Sequence, residues 1–187
     1  MSEAIHWPRL QDIRAIIFDF DGVFTDNKVY LNEMGQEWVR CDRGDGLGIG
    51  MLKSYVRAAK LNAEIAVFSK ETNSVVTARA RKLKLECHQG IRNKLEFIEL
   101  FSVKKFGNKD EIFNGLIYLG NDLNDLSVIR RASFSVAPSD AHPLVQKHTT
   151  IVLPQKGGDG FIRAFVEKLL NIDSLSLDAI HELITDC

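Results

Sequence analysis

Short apolar runs alternate along this chain with amphipathic stretches, and this alternation limits the possible folds more than any other feature. Runs rich in Val, Ile and Phe are typical of strands buried in a parallel sheet. We predict strands at Ala15–Phe18, Ile65–Phe68, Leu85–His88, Leu116–Leu119, Phe134–Val136 and Thr150–Leu153. The intervening stretches repeat their apolar residues at helical spacing. The pattern predicts an α/β protein with a doubly wound, largely parallel sheet.

One segment breaks the alternation. Val29–Leu31 and Glu37–Val39 flank the turn-prone sequence Asn32–Gly35, which predicts a β-hairpin flap over about residues 28–39. The tail from about 173 to 187 is apolar enough to pack against a protein surface. A chain of 187 residues, 45% of them hydrophobic, holds one sizeable core, so we predict a single domain over residues 1–187.

Charge and cysteine content exclude several classes of function. Lys and Arg number 24 against 25 Asp and Glu, so the net charge of −1 provides no overall field for binding nucleic acid or an anionic membrane. The three cysteines are widely separated and predict neither a disulfide framework nor a zinc site. The N-terminal segment lacks the apolar core of a signal peptide, and no apolar run approaches the ~20 residues of a membrane span. We therefore expect a soluble, cytoplasmic protein.

Two acids directly follow the first predicted strand. Asp19 and Asp21 are placed by that strand at the carboxyl edge of the sheet, where ligands bind in open α/β folds. Clustered carboxylates at the end of an apolar strand repel one another, and a hard cation such as Mg²⁺ compensates them. The alternative is a strand that ends in a turn for which Asp is simply a favourable residue.

Three further strand ends carry complementary groups. Ser69, followed by Lys70, offers a hydroxyl donor for a phosphoryl oxygen, although a Ser after a strand is commonly a helix cap. Lys94 stands at a predicted helix start, where it can pair with an anionic phosphoryl group or remain a solvated surface residue. The segment Asn121–Asp125 is a cluster of oxygen ligands that suits Mg²⁺, or else the capped start of a helix.

In this order and all at strand ends, these groups resemble the four motifs of the haloacid dehalogenase (HAD) superfamily of phosphohydrolases. The D-x-D-G-V-x-T-D run at Asp19–Asp26 is the most specific match, and the resemblance extends from about Asp12 to Leu170. Within the superfamily the chain is most similar to the small group without a cap domain. That group contains 3-deoxy-D-manno-octulosonate 8-phosphate phosphatases, nonulosonate 9-phosphate phosphatases and the phosphatase-like module of some acylneuraminate cytidylyltransferases.

The resemblance implies a Rossmann-like core with a hairpin flap and no cap domain, and it implies roles for the motif residues. Asp19 is expected to attack the substrate phosphorus, and Asp21 to act as general acid and base. Ser69 and Lys94 are expected to hold the transferring oxygens. Mg²⁺ is the expected cofactor. Its expected ligands are Asp19, Asp21, Asn121, Asp122 and Asp125.

The chain departs from the usual motifs at three places. Asn121 replaces the usual Asp and contributes no negative charge to a metal site, unless Asp122 or Asp125 compensates. The second motif reads Ser69-Lys70-Glu71 where octulosonate phosphatases have T-G-R, and Gly157–Gly160 contains Asp159 instead of an arginine. The remaining candidates for binding a substrate carboxylate are Lys70, Arg43 and Arg163.

The predicted function is Mg²⁺-dependent hydrolysis of a phosphorylated 2-keto-3-deoxy sugar acid in carbohydrate biosynthesis, through an aspartyl-phosphate. The resemblance also implies a homotetramer in which flaps and tails cover neighbouring sites; alternatively, those segments pack on their own subunit. A second hypothesis, favoured by Asn121, is a weakly active or inactive module for assembly or regulation in acylneuraminate activation. A phospho-accepting receiver domain is disfavoured, because its acceptor Asp follows a later strand.

Overall fold

The computed structural model describes residues 6–185 and residue 187, so residues 1–5 of the predicted domain and residue 186 of the predicted tail lie outside the described residues. The main sheet contains β1 (Ala15–Phe18), β4 (Glu64–Phe68), β5 (Glu86–His88), β6 (Leu116–Leu119), β7 (Phe134–Ala137) and β8 (Ile151–Val152). A hairpin is formed by β2 (Tyr30–Leu31) and β3 (Glu37–Trp38). The helices are α1 (Arg43–Arg57), α2 (Ser74–Leu83), α3 (Lys94–Phe106), α4 (Leu126–Ile129), α5 (Pro143–His148), α6 (Phe161–Leu169) and α7 (Leu177–Thr185). All six predicted strands are confirmed.

The main sheet is parallel throughout, and its strand order is β5-β4-β1-β6-β7-β8. The chain builds outward from β1 to β5 on one side, then returns to β6 and builds outward on the other. The doubly wound prediction is therefore confirmed. The order reverses beside β1, and the crevice at the carboxyl ends of β1 and β6 is where this topology binds ligands.

Two apolar cores cover the two faces of the sheet, which explains why its strands are continuous apolar runs. Ile16 and Phe18 of β1 belong to one core, with residues of α1, α6 and α7, whereas Ala15 and Ile17 belong to the other, with residues of α3, α4 and α5. All four side chains of β1 are buried. Successive residues of a strand point to opposite faces, so a strand covered on both faces needs apolar residues at every position.

The predicted flap is confirmed as an antiparallel hairpin that pairs Tyr30 with Trp38. The Asn32 side chain closes its turn by accepting hydrogen bonds from the backbone of Met34 and Gln36. No cap domain interrupts residues 6–185; the flap is the only insertion between β1 and α1.

The tail packs on its own chain, which is one of the two alternatives left open above. Leu183 of α7 is buried in the core beside α1, and Ile180 and Ile184 pack against the same cluster. Among the described residues, no helix combines the length and the apolar character that a bilayer crossing needs.

Candidate active site

The turn after β1 is closed by its own polar side chains. Asp19 continues the pairing of β1 with β6, donating its backbone N–H to the carbonyl of Leu119 at 2.8 Å. The buried Thr25 hydroxyl accepts hydrogen bonds from the backbone N–H of Gly22 and of Asn27, both at 3.2 Å. This closure holds Asp19 and Asp21 at the carboxyl edge of the sheet, and Asp21 lines the cavity there.

The centre of the site is a buried lysine between two carboxylates. Lys94, the first residue of α3, places its Nζ 2.6 Å from Asp19 Oδ1 and 2.7 Å from Asp125 Oδ1. The Lys94 side chain is only 2% exposed, so solvent screens these charges little. Burial alone would lower the pKa of Lys94, but the carboxylates of Asp19 and Asp125 outweigh it and raise the pKa. Lys94 is therefore a fixed positive charge.

Asp125 was predicted as a metal ligand, but both of its carboxylate oxygens accept hydrogen bonds from neighbouring protein groups. Its Oδ1 accepts hydrogen bonds from Lys94 Nζ and from the Tyr118 hydroxyl at 2.6 Å. Its Oδ2 accepts from the backbone N–H of Asn121 at 2.9 Å and of Asp122 at 3.2 Å. Asp125 is fully buried, and both of its oxygens are used inside the protein. Its position suits orienting Lys94 and the Asn121 loop rather than binding a cation.

Tyr118 is the residue that sequence reasoning missed. Its ring is fully buried in β6, and its hydroxyl donates to Asp125. Burial, followed by the charges of Asp125 and Asp19, raises the pKa of this phenol well above its ordinary value, so the hydroxyl stays protonated as a donor. The available signal was a single tyrosine in an otherwise aliphatic buried strand, because a buried hydroxyl needs a partner.

Asn121 offers an unused oxygen beside Asp19 and Asp21. Its Oδ1 is buried and has no hydrogen-bond partner in the described structure. The Asn121 amide lies so close to Gly22 that a Cβ at position 22 would collide with it, and Gly22 also has a φ of +75°. Glycine at position 22 is therefore required both by the turn and by the approach of Asn121.

These oxygens fit a divalent cation. Asp19 uses Oδ1 to accept from Lys94 and from the backbone of Phe20 at 2.7 Å, and no described residue donates to its Oδ2. Asp21 and Asp122 line the same cavity as Asp19 and Asn121. Three or more Asp, Glu, His or Cys side chains arranged for metal binding are not found among the described residues, so a metal here depends on the amide oxygen of Asn121 and on backbone carbonyl groups.

The electrostatics of the two motif aspartates favour the same conclusion. Burial, reinforced by the Asp125 carboxylate and opposed by Lys94, raises the pKa of Asp19 to about 8. Burial, together with the charge of Glu71, raises the pKa of Asp21 to about 6. A buried carboxylate that resists ionisation becomes a nucleophile when a cation lowers its pKa. A carboxyl group with a pKa near 6 is suited to both donate and accept a proton.

The cavity above these residues has a volume of about 620 Å³ and is walled partly by the flap. Glu37 of β3 accepts a hydrogen bond from the Asn73 side chain at 2.5 Å, which ties the flap to the start of α2. Val29 and Val39 of the flap line the cavity with Lys70. The volume suits a small ligand.

The other predicted residues are only partly brought together. Ser69 is fully buried at the end of β4, where its Oγ accepts from the backbone N–H of Glu71 at 3.1 Å and keeps its own hydrogen to donate. Lys70 lines the cavity, but neither Arg43 nor Arg163 does. Arg163 instead binds Glu167 through its Nε at 2.6 Å.

The Gly157–Gly160 loop supports the turn after β1 from behind. The backbone N–H of Gly158 donates to the carbonyl of Val23 at 3.1 Å, and a Cβ on Gly157 would collide with the carbonyl of Gly22. This backbone-to-backbone contact leaves no room for side chains at either glycine. The observed role of these glycines is therefore support of the turn after β1.

Comparison with known proteins places this geometry in a family. No protein-family model matches the chain. It is 32% identical over 164 residues to the 3-deoxy-D-manno-octulosonate 8-phosphate phosphatase KdsC of Salmonella typhi, which covers 87% of this chain and 81% of that protein. The KdsC of Escherichia coli strain K12 is 31% identical over the same length.

Solved structures agree. A chain from Streptomyces avermitilis described as a HAD family hydrolase superposes with a TM-score of 0.80 and 35% identity, covering 92% of this chain and 95% of that one. The octulosonate 8-phosphate phosphatase of Moraxella catarrhalis, solved with magnesium, phosphate and KDO, superposes with a TM-score of 0.76 and 25% identity over 87% and 88% of the two chains. A cobalt-bound phosphatase of this kind from Haemophilus influenzae has a TM-score of 0.73 and 27% identity, over 88% and 91%. The metals in these neighbours support a divalent metal for the site. The chain belongs to the HAD superfamily, as a phosphatase of the KdsC-like family without a cap domain.

Proposed function

We propose that this protein is a magnesium-dependent phosphatase of 2-keto-3-deoxy sugar acids, with an octulosonate 8-phosphate or a nonulosonate 9-phosphate as its substrate. The observation that carries the proposal is the buried Asp19–Lys94–Asp125 arrangement beside the unpartnered Asn121 oxygen. The names of the relatives support the substrate class. They lend no support to the acylneuraminate module considered above.

In this proposal Asp19 attacks the substrate phosphorus through Oδ2. Its Oδ1 is held by Lys94 and by the backbone of Phe20, which fixes the carboxylate plane toward the cavity. The bond from phosphorus to the sugar oxygen breaks as the Asp19–phosphorus bond forms, and Asp21 protonates the departing oxygen. Asp21 then takes a proton from water, which attacks the phosphorus and frees Asp19.

Charge neutralisation is divided between the protein and the cation. Lys94 and the Ser69 hydroxyl are proposed to bind the oxygens of the transferring phosphoryl group. Asp19, Asn121 and the backbone carbonyl of Asp21 are proposed to hold Mg²⁺, with Asp122 at the rim of the cavity. When bound there, the cation would offset the negative charge that gathers on the phosphoryl oxygens.

Phosphate release provides the direct test. Wild-type protein should hydrolyse p-nitrophenyl phosphate with added Mg²⁺ and lose that activity with EDTA. Asp19→Asn should lower kcat about 1,000-fold or more, because the nucleophile is gone. Asp178→Asn, a change at an exposed acid of α7, is the matched control and should behave as wild type. Wild-type protein as inactive as Asp19→Asn would contradict the proposal.

Lys70 is proposed to bind the substrate carboxylate, since it is the only Lys or Arg among the described residues lining the cavity. Lys70→Met should lower kcat/KM about tenfold for a sugar-acid phosphate, the loss expected for one charged contact, and leave p-nitrophenyl phosphate unaffected. A panel of octulosonate, nonulosonate and hexose phosphates distinguishes the substrates. Preference for a hexose phosphate would overturn the substrate class while leaving the chemistry intact.

We further propose a homotetramer, located in the cytoplasm. The flap exposes large apolar side chains, with Tyr30, Leu31 and Trp38 each more than 60% exposed. Large exposed apolar side chains of this kind are typical of interfaces. The cysteines form no disulfide within the part of the chain that the structure describes, which suits a reducing compartment. Light scattering should give four times the chain mass for wild type and a smaller particle for Tyr30→Ser/Trp38→Ser; a wild-type monomer would contradict the assembly.

A further inference from the structure

A second cavity adjoins the active-site cavity. It has a volume of about 630 Å³ and is bounded by the start of α3, the Leu123–Asn124 turn, α4 and the end of α5. Leu123 and Asn124 line both this cavity and the active-site cavity, so they form the partition between the two. Lys94 also lines it, although the Nζ of Lys94 is directed at Asp19 and Asp125. Apart from Lys94, the mechanism above uses no residue that lines this second cavity.

The charge lining this cavity is of one sign. Arg92 and Arg130 face it beside the imidazole of His148, and the described residues that line it include no Asp or Glu. All three side chains are exposed, and no hydrogen bond or ion pair is recorded for any of them among the described residues. The adjacent Arg131 provides a contrast, because it binds both Glu99 and Asp110. Arg92 and Arg130 have no such partner among the described residues.

Neutral hydrogen-bonding groups complete the lining. Ser127 contributes a hydroxyl, while Asn93 and Asn124 contribute side-chain amides. Asn93 is also the N-cap of α3, a helix of 13 residues, so the positive end of that helix adds to the field. Two arginine forks with hydroxyl and amide donors match the oxygens of a phosphate group.

We propose that this cavity is a second anion site, which binds the phosphate group of a small molecule apart from the catalytic centre. Its volume is within the range of small-ligand sites. Two arginines that face one open cavity suit a compact anion, whereas a nucleic-acid backbone requires an extended basic stripe. The proposal does not rest on the proposed function, because a chain without phosphatase activity would still bind phosphate here.

Calorimetric titration with inorganic phosphate, in the presence of Mg²⁺ and at low salt, tests this site. Wild-type protein should bind phosphate at two classes of site. Arg92→Gln/Arg130→Gln should lose one class, with binding weakened about tenfold or more by the loss of two charged contacts. Arg81→Gln, an exposed arginine of α2 outside this cavity, is the matched control and should keep both classes.

The ring protons of His148 give an independent readout. Their NMR signals, assigned with His148→Gln, should move with phosphate in wild type and remain still in the double arginine variant. Catalytic kcat/KM of that variant should stay within about twofold of wild type, because neither arginine lines the active-site cavity. Phosphate binding by the double arginine variant that equals that of wild type, or His148 signals that do not move, would overturn the proposal.

Titration with a second ligand distinguishes an organic phosphate from inorganic phosphate as the occupant of this site. Phosphonoacetate carries a phosphonate and a carboxylate and resists hydrolysis. Tighter binding of phosphonoacetate than of phosphate at the second site supports the site as one for an organic phosphate. Equal binding supports it as one for the released inorganic phosphate.

Discussion

Replacing Tyr118 by Phe removes one hydroxyl from the most enclosed part of the site. The Tyr118 hydroxyl donates to Asp125 Oδ1 at 2.6 Å, and the ring is fully buried, so Phe fills the same space without the donor. Asp125 Oδ1 then keeps only Lys94 as its partner. A hydrogen bond to a charged group contributes about 1.5–3 kcal/mol, so the free energy of unfolding should fall by about 2 kcal/mol.

This loss is measurable and leaves the protein folded. Domains are typically stable by about 5–15 kcal/mol, and for a chain of this size 2 kcal/mol corresponds to a decrease in Tm of about 4–8 °C. Urea unfolding should show a lower midpoint with an unchanged slope. Tyr55→Phe is the matched control, because no hydrogen bond of the Tyr55 hydroxyl is recorded among the described residues, and its effect should stay below about 0.5 kcal/mol.

Tyr118→Phe should also lower activity, because Asp125 holds Lys94 in position. If about 1.4 kcal/mol of the lost stabilisation comes from the positioning of Lys94 in the transition state, kcat decreases about tenfold. KM should change little, because Tyr118 does not line the cavity. Equal unfolding free energies of Tyr118→Phe and wild type would refute the view that this hydroxyl supports the charged centre.

Three other changes test separate parts of the structure. Asn121→Asp adds a negative charge at the position of a buried oxygen without a hydrogen-bond partner in the described structure, so half-maximal activity should require about tenfold less Mg²⁺. Metal titration measures this requirement, and an unchanged value would exclude Asn121 as a ligand. Gly22→Ala should abolish activity and lower stability by about 2 kcal/mol or more, since its Cβ would strike Asn121 at a φ of +75°; wild-type activity would exclude the close packing. Burial raises the pKa of Asp45 to about 6. Between about pH 4 and pH 6 the native state therefore binds more protons at this carboxyl group than the unfolded state does. As the pH rises through this range, Asp45 lowers the free energy of unfolding. The free energy of unfolding of Asp45→Asn, measured with urea, should therefore increase by about 2 kcal/mol relative to that of wild type between pH 4 and pH 7. A difference between the two proteins that does not change with pH would contradict the raised pKa.

Much of the fold could be predicted because its signals are local. Four consecutive apolar residues in β1, followed by Asp19, indicate a strand buried on both faces that ends at the carboxyl edge. The flap could be predicted for the same reason, since Asn32 and Gly35 mark its turn. Asp19, Lys94 and Asn121 each follow a strand of the parallel sheet. Their position at one edge of the sheet could therefore be predicted without knowledge of long-range contacts.

The sequence by itself therefore determined the alternating architecture and which strand ends carry polar groups, because both depend on residues that are neighbours in the chain. Only the tertiary structure decided that Asp125 turns both oxygens inward, that Tyr118 reaches it, and that Arg163 binds Glu167 outside the cavity. The physical reason is that a side chain's partner depends on where its rotamer leads within the packed fold. Polar groups in a buried site settle on whichever neighbour satisfies them, and spacing along the chain does not specify that neighbour.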